Sequence, residues 1–228
     1  MKNKDKLIEK LLYLVAVVIV LLIYGKENDI SYGYSSEKVP NYSGENYIIL
    51  NDNIPNFNKK DITTKSFENY SELDYLGRAG VAYANISIDL MPTSKRESIG
   101  GIKPTGWQIS KYDFIDGKYL YNRCHLIAYQ LTSENANEKN LITCTRQMNS
   151  VSMLEFENKV ANYIKKTKNH VLYRVTPIYL EDNLLASGVQ IEAYSVEDNG
   201  KGIKFNIYVY NIQDNIEIDY KTGDNKLK

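Results

Sequence analysis

Residues 119–157 read YLYNRCHLIAYQLTSENANEKNLITCTRQMNSVSMLEFE. Arg123 and His125 stand inside an apolar run, and the pattern from Lys118 to Ile127 predicts a strand. A polar, Asn-rich loop follows from Thr132 to Asn140. Leu141 to Thr145 is a second apolar run, again a strand, and it leads through Arg146 and Asn149 into a helical pattern. In that pattern Met153, Phe156, Val160, Tyr163 and Ile164 recur mostly at three and four residues, so one face is apolar. Ser152 with Glu155 fits a capping box, and Lys165, Lys166 and Lys168 suit the negative end of the helix dipole. The unit is strand, loop, strand, helix, with a His on the first strand and an Asn at the helix start.

Outward from this unit the chain reads as strands. Upstream, GVAYANISIDL (Gly80 to Leu90) alternates and predicts a strand. Tyr47 to Leu50 and Trp107 to Ile109 predict short strands, and Phe67 to Leu73 a short helix. Between Met91 and Gly106, Pro92, Gly100, Gly101, Pro104 and Gly106 mark a long loop, a kind often functional in compact domains. It carries Lys95 and Arg96, which suit phosphate contact as well as ordinary solvated surface. Downstream, Val171 to Tyr179, Leu184 to Tyr194 and Ile203 to Ile212 are strand patterns. Asp182-Asn183 and Asn199-Gly200 supply the turns between them. The expected class is α+β with a mainly antiparallel sheet.

The chain has 228 residues, 43% hydrophobic and 25% charged, with formal net charge zero. That suffices for one sizeable domain and an extension. Neutrality argues against a protein that coats nucleic acid through overall charge, but not against a local basic site. Two cysteines, Cys124 and Cys144, exclude a disulfide-rich scaffold and a Cys-type zinc site.

The N-terminus is basic and then apolar. Lys2, Lys4, Lys6 and Lys10 precede Leu11 to Tyr24, which carries no charge. This is the order of an export signal, short for a spanning helix, with no small-x-small cleavage site after it. Residues 1–24 are therefore expected as a signal peptide or an N-terminal membrane anchor. A buried core helix is the plain alternative. Residues 25–64 read as a linker or extension, 65–220 as the main domain and 221–228 as a frayed tail.

Asn122-Arg123-Cys124-His125 resembles the Asp-Arg-Gly-His motif of the DNA/RNA non-specific endonucleases of the ββα-metal superfamily. Asn140-Leu-Ile-Thr-Cys-Thr-Arg-Gln-Met-Asn149 resembles the strand and helix start that follow it there. The similarity extends from about Leu73 to Ile212, most of all to secreted Gram-positive members. The resemblance implies an α+β fold with a ββα-metal motif, DNA and RNA as substrates, and one Mg2+ ion with Mn2+ as a substitute. It implies His125 as general base, Asn149 as metal ligand and products with 5′-phosphates. Asn140 is implied as an orienter of the loop or of the metal's waters, and Glu157 as a support to the metal water or to an arginine. The membrane is an implied partner where the N-terminal segment is retained.

The chemistry agrees with these residue types. A neutral imidazole is a suitable base near neutral pH. Magnesium keeps most of its waters and needs few protein ligands. Arg123 and Arg146 suit bidentate contact with phosphate. Each residue also has a plainer reading. A strand-end His is usually structural, Asn149 alone reads as a helix cap, and Glu157 as a helix-surface carboxylate. His170 has no such context and is assigned no role. The chain departs from the family pattern at Asn122, in place of Asp, and at Cys124, in place of Gly. An extended strand would accept Cys124, and in an exported protein a Cys124–Cys144 disulfide is conceivable. The alternative reading is an extracellular nucleic-acid-binding protein with a decayed site. A cysteine hydrolase is disfavoured because Cys124 and His125 are adjacent on a strand and point to opposite faces.

Overall fold

The structure is a computed structural model and describes residues 39–228. The expected export signal or anchor, Met1 to Tyr24, lies outside the described residues. Among those described, no helix is long and apolar enough to cross a membrane. Six strands form one antiparallel sheet: β1 (Tyr47–Ile49), β2 (Phe67–Tyr70), β3 (Ala82–Ile86), β6 (Val171–Ile178), β7 (Gly188–Ser195) and β8 (Lys204–Tyr210), in the order β1-β8-β7-β6-β3-β2. The ribbon β4 (Tyr121–His125) and β5 (Leu141–Thr145) is separate, with His125 opposite Leu141 and Asn122 opposite Cys144. A short helix α1 (Tyr129–Thr132) lies in the loop between them, and helix α2 (Met153–Thr167) follows β5.

The central strands are buried on both faces, which explains why their sequences do not alternate cleanly between apolar and polar. On one face Ala84, Tyr173, Ala193 and Phe205 lie side by side across four strands. They join Met153, Phe156, Val160 and Ile164 of α2 and Cys124 and Ile142 of the ribbon in the main core. The opposite face carries the row Tyr83, Arg174, Glu192, Asn206. Arg174 and Glu192 form a buried ion pair at 2.5 Å. The stretch read as linker lies on this row. Asn56 donates its N–H to Glu192 at 2.7 Å and accepts from Arg174 at 2.7 Å, Phe57 stacks on Tyr83, and Asn206 donates to the carbonyl of Ile54.

Four local expectations are corrected. Phe67 to Leu73 is not a helix: Phe67–Tyr70 is an edge strand paired with Asn85–Ala82, since an apolar pair three apart over so short a run fits either period and tertiary pairing decides. Trp107 to Ile109 forms no strand. The tail does not fray, because β9 (Ile216–Ile218) pairs with β10 (Asn225–Leu227), and the hydroxyls of Tyr121 and Tyr112 donate to Gly223 O and Asn225 Oδ1. Ser152 is no cap: its backbone is helical, and its hydroxyl donates to the carbonyl of Gln147. The helical path begins earlier, where Thr145 Oγ1 accepts from the N–H of Met148 at 3.1 Å.

Candidate active site

The ribbon's loop is closed by one side chain. Asn140 is fully buried (0% exposed). Its Oδ1 accepts from the N–H of Ile127 at 2.9 Å, and its Nδ2 donates to the carbonyl of Ile127 at 3.0 Å. Both amide atoms are thereby used within the loop, which suits the orienting role that the resemblance implies for Asn140. Cys124 and Cys144, diagonal neighbours on the two strands with Cα atoms 5.9 Å apart, are joined as a disulfide. Cys124 is not among the positive-φ residues. The strand accepts it, and the departure from glycine strains nothing there.

The loop in turn sets the histidine. His125 is 6% exposed, and its Nε2 lies 2.8 Å from the backbone carbonyl of Asn135. A carbonyl only accepts, so Nε2 carries the proton and Nδ1 keeps its lone pair. Burial pushes the imidazole down to about 4; the Asn135 hydrogen bond opposes this and the nearby Arg96 charge adds to it. The ring is neutral at physiological pH.

A cleft of about 550 Å³ lies beside the ribbon, lined by Arg96, Arg123, Arg146 and Asn149 together with Trp107 and Tyr119. Asn149 is half-buried, and among the described residues its side chain has no partner. It sits in a π-helical turn, Met148–Ser152, a local widening frequent at functional sites. The exposed Arg96 likewise has no side-chain partner among the described residues. Arg146 is held at the cleft by Asp116, 2.7 Å away, and more distantly by Asn122 Oδ1 at 3.5 Å. A neutral amide at position 122 thus still orients this arginine. Arg123 is more committed: it donates to the carbonyls of Ile102 and Gly100 and lies 4.0 Å over the Trp107 ring. Its place is to shape the loop from Gly100 to Trp107 at the cleft rim, and less of its guanidinium is left for phosphate than expected.

Glu157 does not line this cleft. The π turn inserts a residue and rotates the helix beyond it by roughly 100°. Glu157 then falls on the buried stripe with Phe156 and Val160, 7% exposed. Burial raises its carboxyl to about 8, and the reading of a helix-surface carboxylate is corrected. His170, at the turn into β6, pairs with Glu197 at 2.7 Å and stands apart from the site. Sequence reasoning missed the Asn135 carbonyl, because a backbone group has no side-chain signature, and it missed Asn211. That residue is fully buried; it accepts from Thr145 N–H at 2.9 Å and donates to Ala186 O at 2.9 Å, tying β5 to the sheet.

The α+β fold with a ribbon, loop and helix carrying His and Asn is that of the ββα-metal nucleases. The family model described as DNA/RNA non-specific endonuclease matches residues 57–197, and the chain belongs to that family. Among solved structures, NucA from Streptococcus agalactiae with magnesium bound is 24% identical, covers 86% of this chain and 89% of its own, and superposes with a TM-score of 0.71. Sda1 nuclease with bound zinc is 26% identical over 84% of this chain and 98% of its own, with a TM-score of 0.63. An extracellular endonuclease, 18% identical over 82% of this chain and all of its own, has a TM-score of 0.57.

Proposed function

We propose that this protein is a metal-dependent endonuclease that hydrolyses phosphodiester bonds in DNA and RNA without regard to the sugar and leaves 5′-phosphates. The observation that carries this reading is the His125–Asn135 contact: it leaves Nδ1 as the acceptor, on a ring kept neutral by burial. His125 takes the proton of the attacking water. Arg96 and Arg146 hold phosphate oxygens at the cleft. The residues fit a hard divalent ion: the Asn149 amide, without a partner among the described residues, offers a neutral oxygen. Such an ion would be held by Asn149, with water and substrate completing its shell, as suits Mg2+, with Mn2+ as a substitute. When bound it supplies charge neutralisation at the phosphoryl and leaving oxygens.

Extracellular placement is supported by the name of one similar structure, an extracellular endonuclease, and by the basic-then-apolar N-terminus. Retention of that segment would anchor the enzyme on the outer face of the membrane. The test incubates the chain and His125→Ala with plasmid DNA and with RNA, in Mg2+ or EDTA. Cleavage by the unmodified chain alone, in Mg2+ alone, is expected. Folded protein that cuts neither nucleic acid with any of several divalent ions would sink the reading in favour of a binding protein.

A further inference from the structure

The lining of the cleft is mixed: Arg96, Arg146 and Asn149 are polar, and Ile109 and Tyr119 are apolar. Ile109 is 73% exposed and Tyr119 49% exposed. Single exposed apolar side chains need no explanation, but these two share a cleft with Arg96 and Asn149, whose side chains have no partner among the described residues. Tyr119 is also held in place. Its backbone bridges Lys111, the next residue donates from Leu120 N–H to Ser110 O at 3.0 Å, and the Lys111 ammonium lies 4.7 Å over the ring. Trp107 offers less, since it is partly buried against the cluster of Leu120, Leu185 and Ile216.

We infer that Tyr119, with Ile109, is a stacking platform for an unpaired base, so that the preferred substrate is a single strand or a frayed end. The inference rests on the nuclease reading for the phosphate contacts of the same cleft. A duplex shows the protein only its backbone and base edges, because each base face is covered by its neighbours. An apolar surface gains nothing from it. An unpaired base has a free π-face, and the ring gains from that whatever the base identity. The lysine over Tyr119 adds attraction for the phosphate that accompanies the base.

Binding is measured by fluorescence anisotropy in the His125→Ala background with Mg2+, using a short labelled single strand and its blunt duplex. Tyr119→Ala is expected to raise Kd for the single strand roughly tenfold and for the duplex less than about twofold. Tyr119→Phe, which keeps the ring, restores single-strand binding. Ile109→Ser, an uncharged change at an exposed position, selectively weakens the single strand as well. Equal losses on both nucleic acids, no loss on the single strand, or no measurable single-strand binding would overturn the inference. Cleavage by the unmodified chain is followed separately. Selective binding without any cleavage would remove the nuclease reading and leave the platform standing.

Discussion

The backbone carbonyl of Asn135 fixes the proton of His125 on Nε2, across 2.8 Å. The imidazole is thus set by a loop atom ten residues away in sequence, and the loop is set by Asn140 and by the disulfide. Three consequences can be measured.

Titration of two buried groups destabilises the protein on both sides of a plateau at about pH 4.5–6.5, where their opposite slopes offset each other. The imidazole of His125 is lowered from 6.5 to about 4. Between those values the unfolded chain binds the proton and the native one does not, so stability is lost as pH falls from 6.5 through 4. Glu157 is the reverse case, raised from 4.5 to about 8. Its contribution is whole below pH 4.5 and is lost as pH rises through 8. Melting temperature against pH should fall on both sides, and Glu157→Gln should flatten the alkaline limb. An unchanged alkaline limb in that variant would show that Glu157 is not the group responsible. The acid limb of kcat/KM should lie below pH 6.5 for the same reason.

Asn140→Ala separates an orienting role from a substrate contact. The variant strands both the N–H and the carbonyl of Ile127 in a buried site, and each unpaired group costs about 1–3 kcal/mol. A clear drop in denaturation midpoint is expected, with turnover falling as the loop loosens around Asn135. A protein of unchanged stability with only a raised KM would point instead to a substrate contact by Asn140.

Reduction of the Cys124–Cys144 bond should both destabilise and slow the protein. The bond spans 20 residues, for which chain entropy gives about 3 kcal/mol. Those residues include Asn135, so His125 loses its orienting partner more readily once the bond is open. Melting and cleavage are compared with and without dithiothreitol, with Cys124→Ser/Cys144→Ser as the matched variant. Indifference of both readouts to reductant would mean that the loop is held by Asn140 alone.

What the sequence made legible follows from how local each signal is. Leu141–Thr145 is a strand with the predicted bounds, since an uninterrupted apolar run bracketed by polar residues carries its own information. β6 and β8 fall within their predicted limits for the same reason. β2 and the β9–β10 hairpin were misread because their order comes from partners distant in sequence: Asn85 for Phe67, and Tyr121 for Gly223. At the site, His125 and Asn149 were legible as side chains in a motif. The position of Glu157 was not, because a π turn between it and Asn149 breaks the 3.6-residue spacing on which such extrapolation depends. Asn135 was hidden because it acts through its carbonyl.

Asn211 separates shared ancestry from shared cooperativity. The family match stops at residue 197, before β8 and before Asn211, which lies directly beyond β8 and grips Thr145 from behind. The recognisable sequence is thus shorter than the unit that melts together. A fragment trimmed to the matched residues would keep His125, Asn140 and Asn149 yet lose the strand and the amide that hold their ribbon against the sheet. It would carry the signature of the family without the means to keep its catalytic atoms still.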